Sequence, residues 1–164
     1  MLAEYIAASF PGARVINRQR LGPDGATFTD ERLTAEERKL LGAAFRRWAD
    51  AIVIDRGVLL VIEASMLANV AKIAQAALYL HLVDVTPELQ EFRTLPRRGR
   101  LVWAVDDQYS RAVAIKAGLE VALFRPSNFS QWLTSKRSTA PRQSRPTVTK
   151  LDLETPAGTV GGGG

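Results

Sequence analysis

Apolar and polar residues change their spacing along this chain, and each change predicts a new secondary-structure element. Residues 2–9 place apolar side chains at helical spacing, and Pro11 with Gly12 ends that helix. Residues 14–21 alternate with a period of two, which predicts a strand at the margin of a core. Residues 22–25, Gly-Pro-Asp-Gly, predict a turn.

A second helix is predicted to begin after Thr34. Glu37 follows three residues later, so the two side chains can each bond a free backbone amide of the first helical turn. A stripe of apolar side chains normally faces a core. The stripe predicted for this helix consists of Leu40, Leu41, Ala44, Phe45 and Trp48.

Two apolar strands, residues 48–55 and 58–65, are predicted next, and each carries one carboxylate near its end, Asp50 and Glu63. A long helix is predicted from Met66 to about Val83. On one face of this helix, spacings of three and four residues bring together Lys72, Gln75 and Tyr79.

The last third of the chain repeats strand, helix and strand. Residues 100–105 and 119–124 read as strands, the first of them of the fully buried type. Residues 110–117 predict a short helix closed by Gly118, and a final helix is predicted over residues 128–135. The order of elements is that of an α/β fold.

Length and composition bound the class of protein. The 164 residues suffice for one well-buried domain, and 46% hydrophobic with 24% charged residues is typical of a globular protein. No apolar run approaches the roughly 18 residues of a membrane helix, and no secretory signal is evident. We therefore expect no membrane association and a location inside a cell or a particle. Without cysteine and with His81 as the single histidine, a zinc site is not expected.

Most of the net charge of +5 lies at the end of the chain. Residues 1–134 hold 17 basic and 15 acidic side chains, whereas residues 135–164 hold five and two. The second segment contains proline, four terminal glycines and no aromatic residue, so it cannot bury enough surface to offset its ordering entropy. It predicts an extended basic tail that contacts nucleic acid or an acidic protein surface, or a merely solvated terminus.

The two carboxylates suggest a metal site. Because adjacent strands of a short hairpin can bring Asp50 and Glu63 together, they can bind one hard divalent cation such as Mg²⁺ through oxygen. The alternative is that each acid is a solvated edge residue or a loop cap.

The spacing Asp50, then Glu63-Ala64-Ser65, then a helix resembles the PD-(D/E)XK nuclease superfamily, whose motif is an Asp, a gap and Glu-x-Lys before a helix. The resemblance implies a restriction-endonuclease-like core over residues 1–134, with a mixed central sheet flanked by helices. It implies Mg²⁺ ligands at Asp50, Glu63 and the Ala64 carbonyl, and phosphodiester cleavage as the chemistry.

Ser65 stands where this family has its lysine. That lysine positions the attacking water and offsets charge on the phosphate, and a serine hydroxyl carries no charge. Metal binding can therefore survive as a vestige without hydrolysis. The resemblance also implies that a lysine from the following helix, here Lys72, can substitute and that Gln75 turns toward the site. The alternative for Lys72 is a solvated helix lysine.

Basic side chains outside the motif are candidate contacts for nucleic acid or a partner protein. Arg18 and Arg20 lie close to a predicted strand end, although arginine is also an ordinary surface residue. The other candidates are Arg97, Arg98 and Arg100, together with Lys136, Arg137, Arg142, Arg145 and Lys150 of the tail.

Three functional hypotheses follow. The missing lysine and the basic tail favour a degenerate nuclease fold with a structural, DNA-proximal role in a larger assembly, as in a phage head-completion or neck (head-to-tail connector) protein. Its partners would be DNA and neighbouring portal or neck subunits, with several copies per assembly, in a virion or the bacterial host cytoplasm. The alternative is an active Mg²⁺-dependent DNA endonuclease. A DNA-binding module without an assembly is the third hypothesis.

Overall fold

A computed structural model describes residues 1–24 and 30–139, with side chains to residue 136. Its helices and strands, in chain order, are α1 Leu2–Ser9, β1 Arg14–Leu21, α2 Ala35–Phe45, β2 Arg47–Asp55, β3 Val58–Leu67, α3 Val70–Leu82, β4 Arg97–Val105, α4 Gln108–Lys116, β5 Glu120–Leu123 and α5 Phe129–Thr139. Short 3-10 helices at Val83–Val85 and Pro87–Phe92 connect α3 to β4.

The five strands form one sheet in the order β1-β2-β3-β4-β5. The pairs β1/β2 and β2/β3 are antiparallel, whereas β3/β4 and β4/β5 are parallel. Parallel neighbours need a long crossover, and α3 and α4 provide the two crossovers. The predicted α/β class with a mixed central sheet flanked by helices is confirmed.

Helices cover both faces of the sheet. Alternate residues of a strand point to opposite faces, so the apolar runs of β2 and β3 supply both layers. One face packs on α1 and the other on α3. On the α1 side the buried residues are Tyr5, Ile6, Phe10, Ala51, Val53, Leu60, Ile62 and Val102. On the α3 side they include Ile52, Leu59, Val61, Tyr79, Ile73, Ala76, Leu101 and Trp103.

Strand β3 is longer, and α3 shorter, than predicted. The prediction of a helix from Met66 is wrong because Ser65 and Leu67 continue the parallel ladder with Trp103 and Val105 of β4. Asn69 then caps α3, its side-chain oxygen accepting from the Ala71 amide at 2.8 Å.

The capping box of α2 is confirmed, but its predicted apolar stripe is wrong. The Thr34 amide donates to Glu37 Oε2 at 2.8 Å, and the Glu37 amide donates to Thr34 Oγ1 at 3.2 Å. Leu40 and Phe45 are nevertheless 70% and 54% exposed. Trp48 belongs to β2, because the helix ends at Phe45 and the antiparallel ladder with β1 begins at Arg47.

The chain divides into two compact units, residues 1–130 and residues 131–164. The predicted boundary after residue 134 falls inside α5, which continues to Thr139. Residues 140–164, most of the predicted tail, lie outside the described residues. Within the described ranges, no helix combines the length and apolarity needed to cross a membrane.

Ile62 is fully buried in the central strand, so its replacement should destabilise the folded protein. Ile62→Ala is expected to lower the free energy of unfolding by about 2–5 kcal/mol, because it leaves a cavity in the core. The control Leu67→Ala, on the same strand at 52% exposure, should change it by less than about 0.5 kcal/mol. Urea titration of both variants measures the difference, and equal losses would contradict this account of the core.

Candidate functional site

Strands β2 and β3 separate part-way along the sheet. They pair from Asp55 and Val58 as far as Ala51 and Ile62. Beyond that point β2 stays with β1 to Arg47, and β3 stays with β4 to Leu67. We call the gap that opens between Asp50 of β2 and Glu63 and Ala64 of β3 the fork.

The two carboxylates bridge the fork in place of main-chain hydrogen bonds. The Ala64 amide donates to Asp50 Oδ2 at 2.9 Å, and the Asp50 amide donates to Glu63 Oε1 at 3.0 Å. A buried amide without an acceptor is costly, so each acid satisfies a donor that the separating strands release. Asp50 and Glu63 are thereby brought together, as the hairpin spacing predicted.

Lys72 lies between the same two carboxylates. Its Nζ is 3.0 Å from Asp50 Oδ2 and 2.5 Å from Glu63 Oε2, and its side chain is only 24% exposed. The Asn69 cap sets where α3 begins and so places Lys72 in the first turn, over the fork. Lys72 is therefore not a solvated helix lysine.

Burial dominates the electrostatics of the fork. It raises the pKa of Glu63, although hydrogen bonds from Lys72 and the Asp50 amide act in the opposite direction. Burial also disfavours the Lys72 ammonium, but its hydrogen bonds to Glu63 and Asp50 outweigh that cost and raise the Lys72 pKa. Lys72 is accordingly a firmly held cation at neutral pH.

Tyr79, one of the buried residues of α3, belongs to the surroundings of the fork. Its burial and the nearby charge of Glu63 raise the pKa of its phenol, which therefore stays neutral at physiological pH. The sequence predicted that Tyr79 and Lys72 share one face of the helix, but it did not predict that Tyr79 lies near Glu63.

The oxygen atoms around the fork fit a Mg²⁺ ion. Glu63 and Asp50 supply carboxylates, and no hydrogen bond to Asp50 Oδ1 is present in the described part of the chain. The Ala64 carbonyl faces the fork too, because the N–H and C=O of one strand residue point to the same neighbour. Magnesium often takes one or two carboxylates, several waters and a substrate phosphate. Among residues 1–24 and 30–139 no group of three or more His, Cys, Asp or Glu is placed to hold a metal, so a metal at the fork would have only two carboxylate ligands from these residues.

Two residues of the predicted motif do not contact the carboxylates. Gln75 is exposed, and its side chain forms no hydrogen bond with the described residues. Ser65 donates its hydroxyl to the Leu67 carbonyl at 2.6 Å. Ser65 is two residues beyond Glu63 in β3 and so lies on the same face of the strand.

The predicted arginine contacts of β4 already have carboxylate partners. Arg97 pairs with Asp84, and Arg98 bonds Glu120 at 3.1 Å. Arg100 pairs with Glu120 as well and donates to the Tyr5 hydroxyl at 3.1 Å, which puts it on the α1 side of the sheet. A phosphate-binding role for Arg97, Arg98 and Arg100 stays a prediction.

Of the predicted tail contacts, Lys136 is exposed on α5. The Arg137 side chain, together with Arg142, Arg145 and Lys150, lies outside the described residues. Their proposed contacts with nucleic acid or a partner protein stay predictions.

No protein-family model, curated protein or solved structure matches the chain. The chemistry of the fork is therefore argued from its own geometry: two carboxylates from separate strands share one ammonium.

The raised pKa of Glu63 predicts a specific dependence of stability on pH. A carboxyl group whose folded pKa lies above its unfolded value binds its proton more tightly in the folded state. Folding stability is then highest below the unfolded pKa and falls as pH rises toward the folded pKa. The wild type should therefore lose free energy of unfolding relative to Glu63→Gln as pH rises from 4.5, the ordinary Glu value. Urea titrations of both proteins between about pH 4 and 8 measure this difference, and the opposite slope would mean that Lys72 lowers the Glu63 pKa.

Proposed function

We propose that the protein is a divalent-metal-dependent deoxyribonuclease whose catalytic centre is the fork. The observation that supports this most directly is the position of Lys72, whose ammonium bonds both Asp50 and Glu63. An acid pair with a lysine beside it is the set of groups expected of the PD-(D/E)XK motif. In this chain the lysine comes from the helix that follows the motif.

Asp50, Glu63 and the Ala64 carbonyl would hold the metal. A bound Mg²⁺ supplies Lewis-acid polarisation of a phosphoryl oxygen and lowers the pKa of a bound water. The protein's own contribution is to fix the ligands. The bonds from the Ala64 amide to Asp50 and from the Asp50 amide to Glu63 lock both carboxylates in the fork.

Lys72 would act as a fixed positive charge and hydrogen-bond donor. Its raised pKa keeps it protonated, so it is unsuited to remove a proton from water at neutral pH. A preorganised cation in a partly buried site stabilises negative charge that develops on a phosphate far better than a solvated one. Its position beside both proposed ligands would keep this charge next to a phosphate held at the same site.

The structural, DNA-proximal role in a phage assembly becomes the second candidate. It was inferred from the serine at position 65 and from the basic tail. The serine argument loses its force because Lys72 supplies an ammonium to the same acids. The tail argument concerns residues that lie mostly outside the described part of the chain. The portal or neck partners and the virion location depend on the same argument.

Removing the Lys72 charge should abolish cleavage. We expect Lys72→Met and Asp50→Asn each to lower Mg²⁺- or Mn²⁺-dependent cleavage of single-stranded and double-stranded DNA by at least about 100-fold, the usual cost of losing a preorganised charge or ligand. Lys116→Met removes an exposed lysine of α4 and should retain wild-type activity. Urea midpoints establish that each variant folds. If the wild type cleaves neither form of DNA with either metal, the nuclease proposal is wrong and the structural role gains support.

Returning a lysine to position 65 should compensate for the loss of Lys72. Ser65 shares a strand face with Glu63, so a lysine there can reach the same phosphate. The double variant Ser65→Lys, Lys72→Met should recover at least about tenfold over Lys72→Met alone. The matched double variant Ser65→Met, Lys72→Met should recover nothing. Equal activity of the two doubles would show that position 65 cannot replace Lys72.

A further inference from the structure

Trp48 is an exposed aromatic residue close to the fork. It precedes Asp50 by two positions in β2, which places its Cα about 7 Å from that of Asp50. The indole is 53% exposed. The guanidinium carbons of Arg18 and Arg20 lie 5.6 and 5.3 Å from its ring centroid, a distance at which cation–π attraction fixes the ring.

Arg18 has a strained backbone at the same place. Its φ of 51° is in the left-handed region, which is unfavourable for arginine. The ladder between β1 and β2 pairs Asn17 with Ala51 and Gln19 with Ala49, but omits the pair between Arg18 and Asp50. Strain of this kind persists where the surroundings impose it, and it clusters at functional sites. The backbone of Arg18 therefore lies opposite a proposed catalytic acid in the sheet, and its guanidinium lies against Trp48.

The arginines next to Trp48 differ from most others in their charge environment. Within the described ranges Arg18, Arg20 and Arg47 form no ion pair with a carboxylate. Arg20 and Arg47 donate instead to the carbonyls of Ala43 at 2.5 Å and Ala44 at 3.0 Å. By contrast, carboxylates neutralise Arg14, Arg32, Arg46, Arg97, Arg98, Arg100 and Arg111.

We propose that Arg18 and Trp48 form a binding surface for single-stranded DNA beside the fork, with Arg20 holding the indole in place. Uncompensated arginines attract phosphates, and a half-exposed indole offers a π-face to a base. The surface deepens the proposed nuclease function, on which its role in substrate delivery rests. Its binding of DNA can be measured without any cleavage.

The exposed indole is the reason to expect a preference for single-stranded over duplex DNA. In a duplex the faces of the bases are covered by their neighbours, so a surface tryptophan gains little from stacking. An unpaired base can stack on it, and such stacking tolerates any base sequence. The arginines, by contrast, contact phosphates of either form.

Binding of a fluorescein-labelled oligonucleotide and of its duplex, followed by anisotropy with the full chain in EDTA, tests the proposal. Trp48→Ala should weaken single-strand binding about tenfold and duplex binding less than about twofold. Trp48→Phe should recover most of the loss. Arg18→Gln should weaken both forms alike, and it should reduce the slope of log K against log salt concentration by about one.

Two matched controls distinguish binding at this surface from a general effect of losing a positive charge or an exposed aromatic side chain. Arg14→Gln changes an arginine of the same strand that is paired with Glu91, and Tyr109→Ala removes an aromatic residue of α4 that is 74% exposed. Neither should alter binding by more than about twofold. The proposal is overturned if neither DNA form binds, if Trp48→Ala weakens both forms equally, or if the Arg14 control matches Arg18→Gln.

The outcome is independent of the nuclease assay. Trp48-dependent binding of single strands by a protein that never cleaves would support this surface while removing the proposed activity. Cleavage by the wild type, together with single-strand binding that is unchanged in Trp48→Ala, would remove this surface and leave the activity in place.

Discussion

The charge of Glu63 is the constraint on which the rest of the site depends. Its side chain is fully buried on the α3 face of β3, where an uncompensated carboxylate would cost several kcal/mol. Lys72 and the Asp50 amide offset part of that cost. Lys72 must reach Glu63. The residue at which α3 begins and the position of α3 on the sheet therefore both depend on this one buried acid.

The acids of the fork therefore have a structural role in addition to the proposed chemical one. Asp50 satisfies the Ala64 amide and Glu63 satisfies that of Asp50. A cation bound as proposed would find ligands already oriented by the backbone, and it would compete with the ammonium of Lys72. Such preorganisation is what distinguishes a catalytic acid pair from two surface acids that happen to be close.

The sequence predicted the α/β order and the convergence of the two acids, because strand periodicity and short hairpins are local properties. It left Lys72 undecided, since the boundary between β3 and α3 depends on pairing with Val105 of β4, far along the chain. Trp48 was predicted both in the stripe of α2 and in the strand 48–55, because its spacing from Ala44 continues a helical period; the ladder with β1 places it in the strand. The sequence did not predict the ion pairs of Arg98 and Arg100, because their partner Glu120 is distant in sequence.

The fork leaves the halves of the sheet joined by five residue pairs, from Ala51 with Ile62 to Asp55 with Val58. Amide protons in that ladder are held by backbone carbonyls and exchange with solvent only when the strands part. The amide protons of Asp50 and Ala64 are held by carboxylates instead. These two amide protons therefore report on the site. Their resonances and exchange rates should follow the charge and occupancy of the acids rather than the integrity of the sheet.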